Sequence, residues 1–257
     1  MKAEDKNRLA QALDVIADYL GDGYKRPPAV YAFTSGPARP EAAVPAENTG
    51  FPEFPEGDFR GSSQDDSLDR IAEEISLCTV CSLHATRNRA VPGEGVSRPL
   101  ALVIGEGPGA DEDASGRPFV GRAGKLLDKM LASIGLFREK NCFIANVVKC
   151  RPPGNRDPLP GETLACSSFL TRQIALLRPL AILSVGRVST GLLLNTGAGI
   201  GKLRGHFADY QGTPLLPTYH PSALLRDESL KRPAWEDLKT FKTKLDELNA
   251  AAFGDVR

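Results

Sequence analysis

No apolar run in the 257-residue sequence approaches the roughly 20 residues that a membrane span needs, so no membrane partner is expected. Net charge is also missing, because 32 Lys/Arg balance 32 Asp/Glu. The opening Met1-Lys2-Ala3-Glu4-Asp5-Lys6 lacks the apolar core of a secretion signal, which makes the cytoplasm the expected compartment. There is no GxxxxGK[ST] and no complete dinucleotide fingerprint, so a nucleotide cofactor fits poorly. No internal repeat is evident. Cysteine is scarce, at 5 residues, and in a reducing compartment these are better read as thiols or metal ligands than as disulfides.

What is present is a globular composition, 41% apolar and 25% charged, in a chain long enough to bury a substantial core. The charge is unevenly distributed: residues 1–70 hold 8 Lys/Arg against 13 Asp/Glu, and the remainder holds 24 against 19. A mildly basic body suits a polyanionic partner.

Three segments follow from the patterning. Leu9, Leu13, Ile16 and Leu20 recur at helical steps, so residues 1–20 are expected to form an amphipathic helix. Residues 21–67 carry 7 Pro and 6 Gly and read as a tether. From residue 68 to about 250, short apolar runs alternate with helical patterns, which predicts an α/β domain. Four strands are expected, at 100–104, 142–148, 180–185 and 215–219. Helices are expected at 122–134, 161–178, 187–194 and 234–248.

Cys78 and Cys81 form a CxxC, and Cys150 and Cys166 lie far downstream with 15 residues between them. Brought together, they would make a four-thiolate site for zinc or an iron-sulfur cluster, and spacing alone does not choose between the two. Cys142 opens an apolar strand and reads as a buried structural thiol.

The first strand runs into Gly105-Glu106-Gly107-Pro108-Gly109, at the strand end where α/β sheets usually bind ligands. Within GRPFVGRAG, Phe119 stands between glycines, either as a flat stacking platform or as ordinary core. Asn146 falls near the end of an apolar strand, where a buried amide demands partners. His220, one of only three histidines, ends another strand ahead of Pro221-Ser222-Ala223-Leu224-Leu225-Arg226.

In combination, GEGPG, GRPFVGRAG, NVVKCRPPGNR, HPSALLR and the four spaced cysteines resemble the family 4 uracil-DNA glycosylases over about residues 70–250. That resemblance implies a three-layer α/β/α sandwich around a mostly parallel four-stranded sheet. It implies a [4Fe-4S] cluster on Cys78, Cys81, Cys150 and Cys166, regarded as structural. It places Gly105, Glu106 and Gly107 around the attacking water and the uracil, with Glu106 the nearest candidate base, since Gly107 stands where other families carry a catalytic Asp. By the same resemblance Phe119 stacks on the extruded uracil, Asn146 reads its O4 and N3 edge, and Glu112 crowds the C5 position against thymine. His220 supports the developing charge at O2, Ser222 grips a phosphate, and Leu225 with Arg226 wedges into the base stack. The basic residues Lys149, Arg151, Arg156, Arg204 and Arg226 are grouped as a DNA-facing set.

The implied activity is base-excision repair of uracil-containing DNA by a monofunctional hydrolase that leaves an abasic site and free uracil. The alternative is a uracil- or damage-sensing DNA-binding iron-sulfur protein without efficient turnover. A monomer is the family default, and residues 1–20 are expected to dock a repair or replication protein.

Overall fold

A computed structural model describes residues 66–254. The expected N-terminal helix and tether lie outside the described residues.

The chain runs in the order α1 (Leu68–Leu77), β1 (Glu94–Gly95), β2 (Ala101–Gly105), α2 (Ala110–Ser115), α3 (Arg122–Ser133) and β3 (Cys142–Asn146). It continues with α4 (Pro160–Leu177), β4 (Ala181–Val185), α5 (Arg187–Leu193), α6 (Ile200–Leu203) and β5 (Ala208–Tyr210). β6 (Thr213–Thr218), α7 (Pro221–Arg226) and α8 (Lys231–Phe253) complete it. Local chemistry explains several of these boundaries. The Ser67 hydroxyl accepts the Arg70 N–H at 3.2 Å to cap α1. At the start of α4, Pro160 supplies a helix-ready backbone, and Glu162 reaches back to accept the Leu159 N–H at 2.7 Å.

The strands form one sheet in the order β1-β3-β2-β4-β6-β5. The four central strands are parallel, whereas β1 pairs antiparallel with β3 and β5 antiparallel with β6. The sheet therefore has six strands where four were expected. The two additions span two and three residues, too short to leave an apolar run in the sequence. β5 and β6 join through a two-residue turn in which Gln211 and Gly212 both take positive φ, 51° and 83°. A primed turn of this kind matches the twist of the strands it links.

Every residue of β2, β3 and β4 is buried, the pattern of strands covered on both faces. Side-chain alternation then divides the core. Ala101, Val103, Ile144 and Leu183 pack with Leu127 and Leu131 of α3 and Leu238 and Phe241 of α8. Leu102, Ile104, Phe143 and Ile182 face the other way, toward Leu170 and Leu177 of α4 and Leu192 of α5. This is the three-layer α/β/α arrangement. Because β2 has β3 on one side and β4 on the other, the chain reverses its winding at the carboxyl end of β2, where open α/β sheets form a crevice.

Candidate functional site

Parallel pairing brings the ends of β2 and β3 side by side, with Gly105 opposite Asn146. Asn146 is 2% exposed, and its side-chain Oδ1 has no hydrogen-bond partner among the described residues. A buried amide oxygen left this way is costly unless a ligand completes it. The space before it exists because residue 105 has no side chain. A Cβ there would lie 2.5 Å from both Asn146 Oδ1 and Phe119 Cζ. Asn146 and the edge of the Phe119 ring thus meet over Gly105.

Phe119 is held in a rare left-handed conformation, φ 53°, from several directions. Arg138, itself buried, donates to the Phe119 carbonyl at 3.2 Å and to the Pro118 carbonyl at 3.0 Å, and is anchored by Asp128 at 2.6 Å. Glu112 accepts the amides of Val120 at 2.8 Å and Gly121 at 3.0 Å, and also that of Gly109 at 3.1 Å. Helix α3 presses directly against the same backbone: a Cβ on Gly124 would lie 2.0 Å from the Phe119 carbonyl carbon and oxygen.

His220 follows β6 and caps α7. Its ring lies 5.7 Å from that of Phe119, centroid to centroid. Nδ1 accepts the Ser222 backbone N–H at 3.1 Å and lies 2.8 Å from the Ser222 hydroxyl. This acceptor role assigns the ring proton to Nε2, leaving an N–H donor on the opposite edge. Burial, aided by the charge of Arg226, pulls the His220 pKa down to about 4, so the ring is neutral near pH 7.

Glu106, directly after Gly105, is half-buried. Burial first, and then the charge of Asp157, push its carboxyl up to about 7, while Arg187 opposes the shift. Asp157 and Arg187 are themselves ion-paired. Ser222 is tied to His220 as described, while Leu225, 40% exposed, and Arg226 stand at the surface end of α7.

One member of the expected DNA-facing group is corrected by its burial. Lys149 is 1% exposed, with its ammonium on the Asn146 carbonyl at 2.8 Å and Gln173 Oε1 at 2.7 Å. Burial lowers its pKa to about 8, opposed by the neighbouring Cys166. Arg204 is paired with Asp237, and Arg156 with Glu162. Arg151 and Arg226 remain free of carboxylate pairing among the described residues.

Cys78, Cys81, Cys150 and Cys166 line one pocket together with Ile75, Arg87, Lys149 and Phe169. Burial raises the Cys150 thiol above its ordinary range and the Cys166 thiol to about 11. Two N–H groups already point at these sulfurs: Arg87 Nη1 lies 3.0 Å from Cys150 Sγ and the Lys149 amide 3.4 Å from Cys166 Sγ. Among the described residues no group of three or more His, Cys, Asp or Glu side chains is already arranged to hold a metal ion. Four thiol donors lining one pocket, with N–H groups on two of the sulfurs, are the donor chemistry that a thiolate-ligated cluster uses. Cys142 lies apart, in the opposite core layer, with burial raising its thiol to about 12.

A family model of the uracil DNA glycosylase superfamily matches residues 92–239, a span that contains Gly105, Phe119, Asn146 and His220. The chain belongs to the uracil-DNA glycosylase superfamily. It is 47% identical over 189 residues to the type-4 uracil-DNA glycosylase of Saccharolobus solfataricus, covering 70% of this chain and 87% of that protein. Against the type-4 uracil-DNA glycosylase of Thermotoga maritima the identity is 41%, over 70% of this chain and 96% of the relative. Against that of Sulfurisphaera tokodaii it is 44%, over 69% and 84%.

Within this superfamily the Gly107 position draws notice because an Asp is expected there in other families. Here a Cβ on Gly107 would lie 2.7 Å from Val148 Cγ2, so a side chain at this position would require the Val148 methyl to shift. Several residues that build the site escaped the sequence reading, Arg138, Gln173 and Asp113 among them. Asp113 is buried and accepts the Asn88 amide at 2.9 Å, tying the segment after the CxxC to α2. A lone charged or polar residue inside an otherwise ordinary loop or helix is the only sequence signal such residues leave.

Proposed function

We propose that this protein is a monofunctional uracil-DNA glycosylase that extrudes uracil from DNA and hydrolyses its N-glycosidic bond, releasing free uracil and leaving an abasic site. The observation that carries the reading is the unpartnered Asn146 Oδ1 over Gly105, flanked by Phe119 and by the neutral Nε2–H donor of His220.

Uracil offers an acceptor at O4 beside a donor at N3, and a side-chain amide presents the complementary pair. Cytosine reverses that pattern and leaves a buried amide mispaired, the kind of mismatch that separates substrates by about 10⁴ or more. Stacking on Phe119 adds affinity without reading the base edge. As the glycosidic bond breaks, electrons move onto the base and negative charge gathers at O2. A neutral imidazole N–H donating there stabilises the leaving anion, and its orientation is set beforehand by Ser222. Glu106, ionised at its working pH, takes a proton from the water that attacks the sugar carbon. Glu112 acts as a positioning residue through its bonds to the Val120 and Gly121 amides, and so brings the Phe119 turn against the C5 side of the base. Leu225 fills the gap left by the extruded nucleotide, with Ser222, Arg151 and Arg226 available for phosphate contact.

Cys78, Cys81, Cys150 and Cys166 hold a [4Fe-4S] cluster. When bound, it supplies a covalent clip between the segment after α1 and the loop after β3, at redox-capable iron. The protein acts as a cytoplasmic monomer, with residues 1–20 available for docking a repair partner.

A uracil-bearing oligonucleotide, with thymine and cytosine controls and alkaline cleavage of abasic sites, tests the reading. Uracil-specific multiple turnover is expected. Tight uracil-specific binding without release would replace it with the sensor reading.

A further inference from the structure

Among the described residues Lys149 is the one lysine that is fully buried, and both of its hydrogen-bond acceptors are neutral, the Asn146 carbonyl and the Gln173 amide oxygen. No carboxylate lies within ion-pair distance of it among the described residues. A buried charge without a counter-charge is strongly unfavourable, and proteins normally pair such groups or bind an ion beside them. Gln173 does not provide one. Its own amide N–H is turned away, donating to the Pro92 carbonyl at 2.7 Å, so its oxygen is oriented onto Lys149. Lys149 lines the same pocket as Cys78, Cys81, Cys150 and Cys166, and its backbone amide points at Cys166 Sγ, so thiolates formed there would be the anionic groups on this side of the buried lysine.

We propose that Lys149 is the buried counter-cation of the four-cysteine site, placed there to neutralise an anionic thiolate-ligated cluster and to set its reduction potential. The inference rests on the cluster reading given above. It explains why a lysine, rather than an apolar residue, fills the space between α4 and the end of β3. Net charge and hydrogen bonds to sulfur are the protein's main controls over cluster potential, and here a buried cation and the guanidinium of Arg87 both act on the thiolates. Lys149 also places a single side chain between the cysteine cavity and the backbone of Asn146, the residue that reads the base.

The test is spectroelectrochemistry of the cluster-loaded protein, prepared anaerobically, in the wild type and two variants. Lys149→Met removes the cation at similar length. Gln173→Glu leaves the lysine in place but gives it a carboxylate partner, at the cost of the Pro92 hydrogen bond. Both changes cancel the positive field, so both should make the cluster harder to reduce, shifting the reduced-to-oxidised ratio at fixed potential at least tenfold, about 59 mV for one electron. Loss of iron from a variant that keeps its far-UV circular dichroism reads the same way, because an anionic cluster without its counter-charge binds more weakly. Retention of the cluster at the wild-type potential in both variants would overturn the proposal. Wild-type protein that binds no iron and sulfide would instead remove the cluster reading itself.

Discussion

His220 receives the backbone N–H of Ser222 on Nδ1 at 3.1 Å, and this one contact fixes which edge of the imidazole carries the proton. The ring is thereby a donor through Nε2 before any substrate arrives, and burial keeps it uncharged. His220→Ala should lower single-turnover uracil excision by about a hundredfold to a thousandfold, the usual cost of removing one donor to a developing anion. Binding of uracil-containing DNA should change far less, as measured by fluorescence anisotropy.

Glu106 gives the pH dependence its shape. A base must be ionised, and its carboxyl titrates near 7, so the rate should rise through pH 7 and plateau above it. His220 should add no break near its ordinary value of about 6.5, because its own titration lies near 4. The pH–rate profile of Glu106→Gln should be low and flat across this range.

The same shift makes Glu106 a stability cost. The unfolded carboxyl ionises near 4.5 and the folded one near 7, so between those values the folded state holds the extra proton and stability falls as pH rises. At pH 8 Glu106→Gln should therefore be more stable than the wild type, by about 1 to 2 kcal/mol after allowing for solvent screening of a half-buried group. Urea unfolding at pH 8 and at a pH about one unit below the unfolded carboxyl's value measures the difference, which should vanish at the lower pH.

Gly124 and Phe119 give a steric prediction. A methyl at residue 124 would overlap the Phe119 carbonyl at 2.0 Å, forcing the left-handed turn to open. Gly124→Ala should raise KM and lower kcat, with the far-UV spectrum retained. A variant with wild-type kinetics would show that the ring position does not matter.

Much of this architecture was legible in the sequence because it rests on buried periodicity. The central strands are short apolar runs with both faces covered, and β2, β3 and β4 lie within a residue or two of their expected positions. β1 and β5 were not legible, since two or three residues in an antiparallel edge leave no pattern. Asn146 announced itself as a polar residue in an apolar strand. Lys149 did not: in sequence it reads as one more cation in a basic loop, and only the packing of α4 against the end of β3 shows it buried on Gln173. The bracing roles of Arg138 and Glu112 were equally hidden, because their partners are backbone groups of residues many positions away.

The cysteines separate by layer. Serine at Cys78, Cys81, Cys150 or Cys166 should abolish the visible charge-transfer absorption and bound iron, whereas Cys142→Ala should keep both, as its thiol lies across the sheet from the cavity.

The most direct measurement is uracil and cytosine excision by the wild type and Asn146→Asp on matched oligonucleotides. An aspartate lacks the amide N–H that uracil O4 requires, so uracil excision should fall at least about a hundredfold, while the wild type turns over repeatedly on uracil and leaves cytosine untouched. Unchanged uracil excision by Asn146→Asp, or a wild type that binds uracil without releasing it, would contradict the account.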